Sequence, residues 1–142
     1  MNSKYQYIGC FLSQKEVLSY ADGVSTGHLS RIITIPHVTF VFEPDDVDES
    51  LFGEKIRVEA TGYGNNGRNE GLSVKLYSEN RVLADMIERI EIPHITISVG
   101  EGGRPYDTRF LKFRTIEPFE LEGVFGGYMR NGTAVYSKPD IF

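Results

Sequence analysis

The chain has 142 residues, of which 40% are hydrophobic and 25% charged, with a formal net charge of -5 at pH 7. Such a composition fits one ordinary domain over residues 1–142, apolar enough to build a core without metal or disulfide staples and too apolar for disorder. It excludes a coiled-coil fibre and a disulfide-built module, and its acidity opposes the counterion-releasing grip that long nucleic acid requires.

Tyr5 to Ser13 reads as a strand, and Cys10, the single cysteine, as a small core residue. The apolar run here is too short for a signal peptide and no stretch reaches membrane-spanning length, so a cytoplasmic protein without membrane contact is expected. Gln14 to Ala21 reads as a helix. His28 is expected to be a loop residue, and Arg31 to Phe42 a strand. Glu43 to Glu49 holds five acids but lacks the glycine and the glutamate of a calcium loop, so it reads as a solvated loop. The remainder of the chain is then neutral, and the acidity is local.

Lys55 to Gly62 and Leu72 to Tyr77 are the next strands. Between them Gly62-Tyr63-Gly64-Asn65-Asn66-Gly67 matches G-x-G-x-x-G, but a strand follows it where a phosphate-binding helix is needed, and a hairpin is expected. Glu79 to Ile90 reads as a helix with Val82, Met86, Ile87 and Ile90 in one apolar stripe. His94 to Val99 and Phe119 to Tyr128 complete the strands, and Asn131-Gly132 marks a turn. Short links between most strands predict an α+β domain with mostly antiparallel pairing.

One repeat stands out from this background. Ile35-Pro36-His37-Val38-Thr39-Phe40 and Ile92-Pro93-His94-Ile95-Thr96-Ile97 share the pattern I-P-H-[VI]-T-[FI]. On a strand each motif presents His and Thr on one face while Val38, Phe40, Ile95 and Ile97 point to a core. Proline before each histidine suits a strand entrance or an edge. Two such strands side by side would bring two imidazoles and two hydroxyls together. Imidazole titrates near about 6.5, so one histidine can take a proton from water while its protonated partner gives one to a departing ribose oxygen. The hydroxyls of Thr39 and Thr96 can donate to the non-bridging phosphate oxygens. A metal site is the functional rival, but neither motif carries a second ligand at the usual spacing, so no metal and no cofactor is expected.

The paired His-x-Thr motifs resemble the 2H phosphoesterase superfamily, which includes RNA 2′,3′-cyclic phosphodiesterases of the LigT type, the cyclic phosphodiesterase domains of tRNA ligases and 2′,5′-oligoadenylate phosphodiesterases. The resemblance implies a bilobal fold in which two pseudo-symmetric antiparallel sheets form a concave cleft with flanking helices. It implies His37 and His94 as the acid/base pair, and Thr39 and Thr96 as phosphate-binding hydroxyls. The expected activity is metal-independent hydrolysis of a ribose-linked phosphodiester, such as a 2′,3′-cyclic phosphate at a nucleotide or RNA end. The alternatives are a nuclease for small cyclic or 2′,5′-linked signalling oligonucleotides, as in some phage members, and a nucleotide- or RNA-binding module without turnover. The chain is shorter than LigT-type enzymes and carries no kinase or ligase segment, which favours a small substrate over long duplex nucleic acid. Tyr63 and Tyr128 are candidates to stack on a base, and Arg104 and Arg109 to touch a phosphate.

Overall fold

The computed structural model describes residues 4–137. Eight strands and two α-helices follow one another as β1 (Tyr5–Leu12), α1 (Gln14–Ala21), β2 (Arg31–Ile32), β3 (His37–Phe42), β4 (Lys55–Asn65), β5 (Asn69–Tyr77), α2 (Arg81–Glu88), β6 (His94–Val99), β7 (Arg114–Met129) and β8 (Ala134–Val135). Two short 3₁₀ segments, Glu49–Leu51 and Pro105–Phe110, complete the described elements. The α+β class is as expected, and every strand pairing is antiparallel.

Local chemistry accounts for the boundaries. Ser13 and Asn80 cap the two α-helices, their side chains accepting from the backbone N–H of Glu16 and Leu83. Leu83, Met86 and Ile87 of α2 and Ile90 just past its end pack on the core, whereas Val82 is 54% exposed. The stripe therefore starts one residue later than the spacing suggests. Pro36 breaks the expected strand Arg31 to Phe42 into β2 and β3, which pair with different neighbours. The hairpin between β4 and β5 forms as expected, with Gly67 at positive φ in its turn.

Hydrogen bonds join the strands into one ladder in the order β2-β6-β5-β4-β7-β1-β3, with β8 on β7. The expected pair of separate sheets is thus a single one, because β4 and β7 run as long central partners that connect the two halves. The segments β1-α1-β3 and β5-α2-β6 repeat the same strand, helix, antiparallel strand connection. Each repeat delivers one His-x-Thr motif on its last strand. Four strands separate β3 from β6 in the ladder, so a flat sheet would hold them about 24 Å apart. Their Cα atoms instead come within 8 Å. The sheet bends until its two motif strands meet.

One face of the sheet carries the core. Val38, Val58, Ala60, Leu72, Val74, Ile95, Ile97 and Leu121 are buried there with Val17 and Ala21 of α1 and Leu83 of α2. Cys10 is fully buried among them, and burial pushes its thiol pKa upward, which makes it inert near neutral pH. Among the described residues, no helix is long and apolar enough to cross a membrane.

Candidate active site

Cross-strand partners share a face of a sheet, so the register places the motif side chains. His37 lies opposite Phe11 and Thr39 opposite Gly9 on β1, while His94 lies opposite Ser73 and Thr96 opposite Gly71 on β5. Following the partners through Val124, Lys55, Arg57 and Tyr77 shows that all four motif residues stand on the face away from the core.

The Ile-Pro preceding each histidine has a local purpose. The carbonyl of Ile35 accepts from His37 Nδ1 at 3.0 Å, and that of Ile92 accepts from His94 Nδ1 at 2.9 Å. Proline fixes φ between the carbonyl and the ring, which aims the carbonyl at the imidazole. Its own carbonyl takes the first ladder bond, from Leu12 N–H in one motif and Val74 N–H in the other. A carbonyl can only accept, so Nδ1 carries the proton in both rings and Nε2 holds the lone pair of the neutral form. The two rings are thereby held in one tautomer.

Burial lowers the pKa of His37; the Ile35 carbonyl partly offsets this, and the charge of His94 adds to the lowering. The second histidine behaves alike: burial lowers its pKa against the Ile92 carbonyl, and the Arg109 guanidinium lowers it further. His37 therefore senses His94, and the surroundings of both histidines favour the neutral form.

The surroundings of the pair differ. Beside His37, Tyr7 stacks on the imidazole at 4.5 Å and Tyr128 stacks on Tyr7 at 5.1 Å, with Phe11 tilted at 6.0 Å. Tyr7 and Tyr128 are half-buried, so Tyr128 is placed in the neighbourhood its candidacy requires. Beside His94 lies the 3₁₀ segment Pro105–Phe110, with Arg109 facing the exposed rings of Tyr106 and Phe110 at 5.2 and 5.3 Å. This segment rests on Gly71, where a Cβ would come 2.3 Å from Thr108 Cγ2, and the stretch after it passes over Gly64 and Gly62, where a Cβ would come 3.1 Å from Leu111 and 3.1 Å from Phe113. The glycines of the G-x-G-x-x-G match therefore clear a path for a covering segment and make a turn.

Two candidates fall elsewhere. Tyr63 is 2% exposed and donates to Glu70 at 2.5 Å, on the core face. Simple alternation from Lys55 would put Tyr63 with the histidines, but a bulge between Ala60 and Gly62 inserts one residue and flips it over. Tyr63 is thus no stacking platform. Arg104 is 74% exposed and pairs with Asp107 three residues on, so it does not join the pair either.

The residues that sequence reasoning missed are Tyr7, Phe11, Tyr106 and Phe110 around the histidines, and a network across the sheet. Glu70, wholly buried, accepts from Ser25 at 2.5 Å, Tyr63 at 2.5 Å, Ser98 at 2.7 Å and His28 Nδ1 at 2.8 Å. His28 Nε2 lies 2.9 Å from Asp22, and these two carboxylates raise its pKa, Glu70 most. His28 lies in a loop, as expected, and from there it ties the segment after α1 to β5. A carboxylate two positions before Leu72, at the entry to an apolar strand, was the available signal. Similarly, the acidic loop is anchored at its ends, where Glu43 pairs with Arg130 and Glu49 with Lys4. Among the described residues no group of three His, Cys, Asp or Glu side chains is placed to hold a metal ion. Comparison with known proteins adds no identity to this geometry, since no protein-family model and no curated protein matches the chain.

Proposed function

We propose that the protein is a metal-independent phosphodiesterase of the 2H type, hydrolysing a ribose-linked phosphodiester such as a 2′,3′-cyclic phosphate. One observation carries the reading: two strands from opposite halves of the sheet meet, each with a histidine whose Nδ1 is anchored by its own Ile-Pro carbonyl and whose Nε2 has no hydrogen-bond partner among the described residues. The repeated strand-helix-strand units support a pseudo-symmetric, bilobal arrangement around that meeting point.

In the reaction, water attacks phosphorus as one Nε2 takes its proton, and the bond to the ribose oxygen breaks as the other histidine's Nε2–H protonates that oxygen. The surroundings of both imidazoles favour the neutral form in the free protein, and the negative charge of the bound phosphodiester restores one proton to the pair. The hydroxyl of Thr39, half-buried and without a hydrogen-bond partner among the described residues, donates to a non-bridging oxygen. The Tyr7–Tyr128 stack offers a base a flat partner on the His37 side.

The test is a panel of 2′,3′-cyclic mononucleotides, 2′,5′- and 3′,5′-linked oligonucleotides and cyclic di- and trinucleotides, incubated in EDTA and scored for products. Cleavage with a bell-shaped pH dependence that His37→Ala or His94→Ala lowers by about 10²–10⁴-fold is expected. Selective cleavage of cyclic or 2′,5′-linked oligonucleotides would move the assignment to a signal-degrading nuclease. Binding without cleavage would make the protein a nucleotide-binding module.

A further inference from the structure

Resting on the phosphodiesterase reading, we propose that the phosphate contact on the His94 side is made by Arg109, and that Thr96 is a positioning residue that holds the segment carrying it. The two threonines of the repeat are not equivalent. Thr39 has a free hydroxyl among the described residues and is half-buried. Thr96 is only 7% exposed, with the Pro105 carbonyl at 3.1 Å and Thr108 Oγ1 at 2.8 Å from its hydroxyl. A threonine has one hydroxyl proton. Whichever of these neighbours receives it, none remains to donate to a phosphate oxygen.

What that hydroxyl holds is the 3₁₀ segment. Asn69, 2% exposed, donates from Nδ2 to Thr108 Oγ1 at 3.0 Å and to the Arg104 carbonyl at 2.6 Å. Thr96 and Asn69 together fasten the segment from 104 to 108 onto β5 and β6, and the next residue is Arg109. Its guanidinium is oriented by the Tyr106 and Phe110 rings and by Tyr106 Oη, 3.2 Å from Nη1. Glu91 Oε2 lies 3.5 Å from Nη2, but that carboxylate is 85% exposed and so a weak, solvent-screened competitor. The Nε–H is buried and lacks an acceptor among the described residues. A buried guanidinium donor left unpaired beside a candidate base fits a tetrahedral oxyanion, which takes a fork of two N–H groups. The charge of Arg109 already reaches His94.

A double-mutant cycle separates the roles. Affinity for inorganic phosphate, read from the His94 ring resonances, and kcat/KM on a 2′,3′-cyclic mononucleotide are compared for the wild type, Thr96→Val, Arg109→Ala and the double variant. Each single change should weaken both quantities by about tenfold or more, and the double should be no worse than Arg109→Ala alone, because Thr96 acts through that residue. Thr96→Ser should restore the wild-type values. If Thr96→Val does not fold, Thr108→Val cuts the same tie from the other side. Losses that multiply in the double variant, or phosphate affinity unchanged by Arg109→Ala, would overturn the proposal. Wild-type protein that cleaves no nucleotide would end the hydrolase reading, while the phosphate cycle would still decide the role of Arg109.

Discussion

Replacing Glu70 by glutamine keeps the volume of a fully buried side chain and removes its charge. In the native protein each carboxylate oxygen accepts two donors, Ser25 and Tyr63 on Oε2, His28 and Ser98 on Oε1. Burial pushes this carboxyl pKa up, yet the four donors together hold it below the ordinary carboxylate range, so the site prefers the anion. A glutamine has one carbonyl oxygen, which can serve His28 and Ser98. Its amide nitrogen then faces two hydroxyls that were donors, and two buried protons lose a charged acceptor. At about 1.5–3 kcal/mol for each such bond, the change costs about 3 kcal/mol even after partial relaxation. With a urea slope of about 2 kcal/mol/M, the unfolding midpoint falls by about 1.5 M. Equilibrium urea unfolding followed by circular dichroism measures this, and a midpoint within about 0.3 M of wild type would refute the account of Glu70 as a saturated acceptor.

Three further outcomes follow from the same geometry. In an NMR pH titration, His28 should titrate above about 6.5 and His37 and His94 below it. His28, its folded pKa raised, stabilises the protein fully below about 6.5 and loses that contribution as pH rises through its folded value; the two site histidines destabilise as pH falls below about 6.5, because the unfolded chain takes their protons first. Titration of His28 below either of the others would contradict the network. Gly71→Ala would put a Cβ 2.5 Å from the Ile95 carbonyl as well as against Thr108, so it should cost about 1–3 kcal/mol in urea unfolding and displace the covering segment. Tyr128→Ala should raise KM for a cleaved nucleotide by about tenfold with little change in kcat, since one base-stacking partner is lost; an unchanged KM would remove Tyr128 from recognition.

The repeat I-P-H-x-T was legible because a strand has period two: once both segments were strands, His and Thr had to share a face and Val38 and Ile95 had to take the other. The hairpin at Asn65-Asn66-Gly67, the burial of Cys10 and the α+β class followed from equally local chemistry. Tyr63 was misplaced for the converse reason. A single inserted residue between Ala60 and Gly62 reverses every side chain beyond it, and nothing in the alternation of Lys55 to Tyr63 announces it.

The rest was decided by contacts distant along the chain. Tyr7 stacks on His37 across 30 positions, and Glu70 gathers donors from Ser25, His28, Tyr63 and Ser98, on three separate segments. Such meetings depend on the order of strands and the bend of the sheet, which depend on all pairings at once. The sequence by itself determined which atoms could move a proton: two imidazoles on matched strands, each with an Ile-Pro before it. Only the tertiary structure decided that the strands meet, that Thr39 stands free while Thr96 is tied down, and that aromatic rings flank one histidine and a guanidinium the other. The physical reason is that backbone periodicity acts within a few residues, whereas the packing of Gly71 against Thr108 and of β3 against β6 joins segments that only the folded sheet brings together.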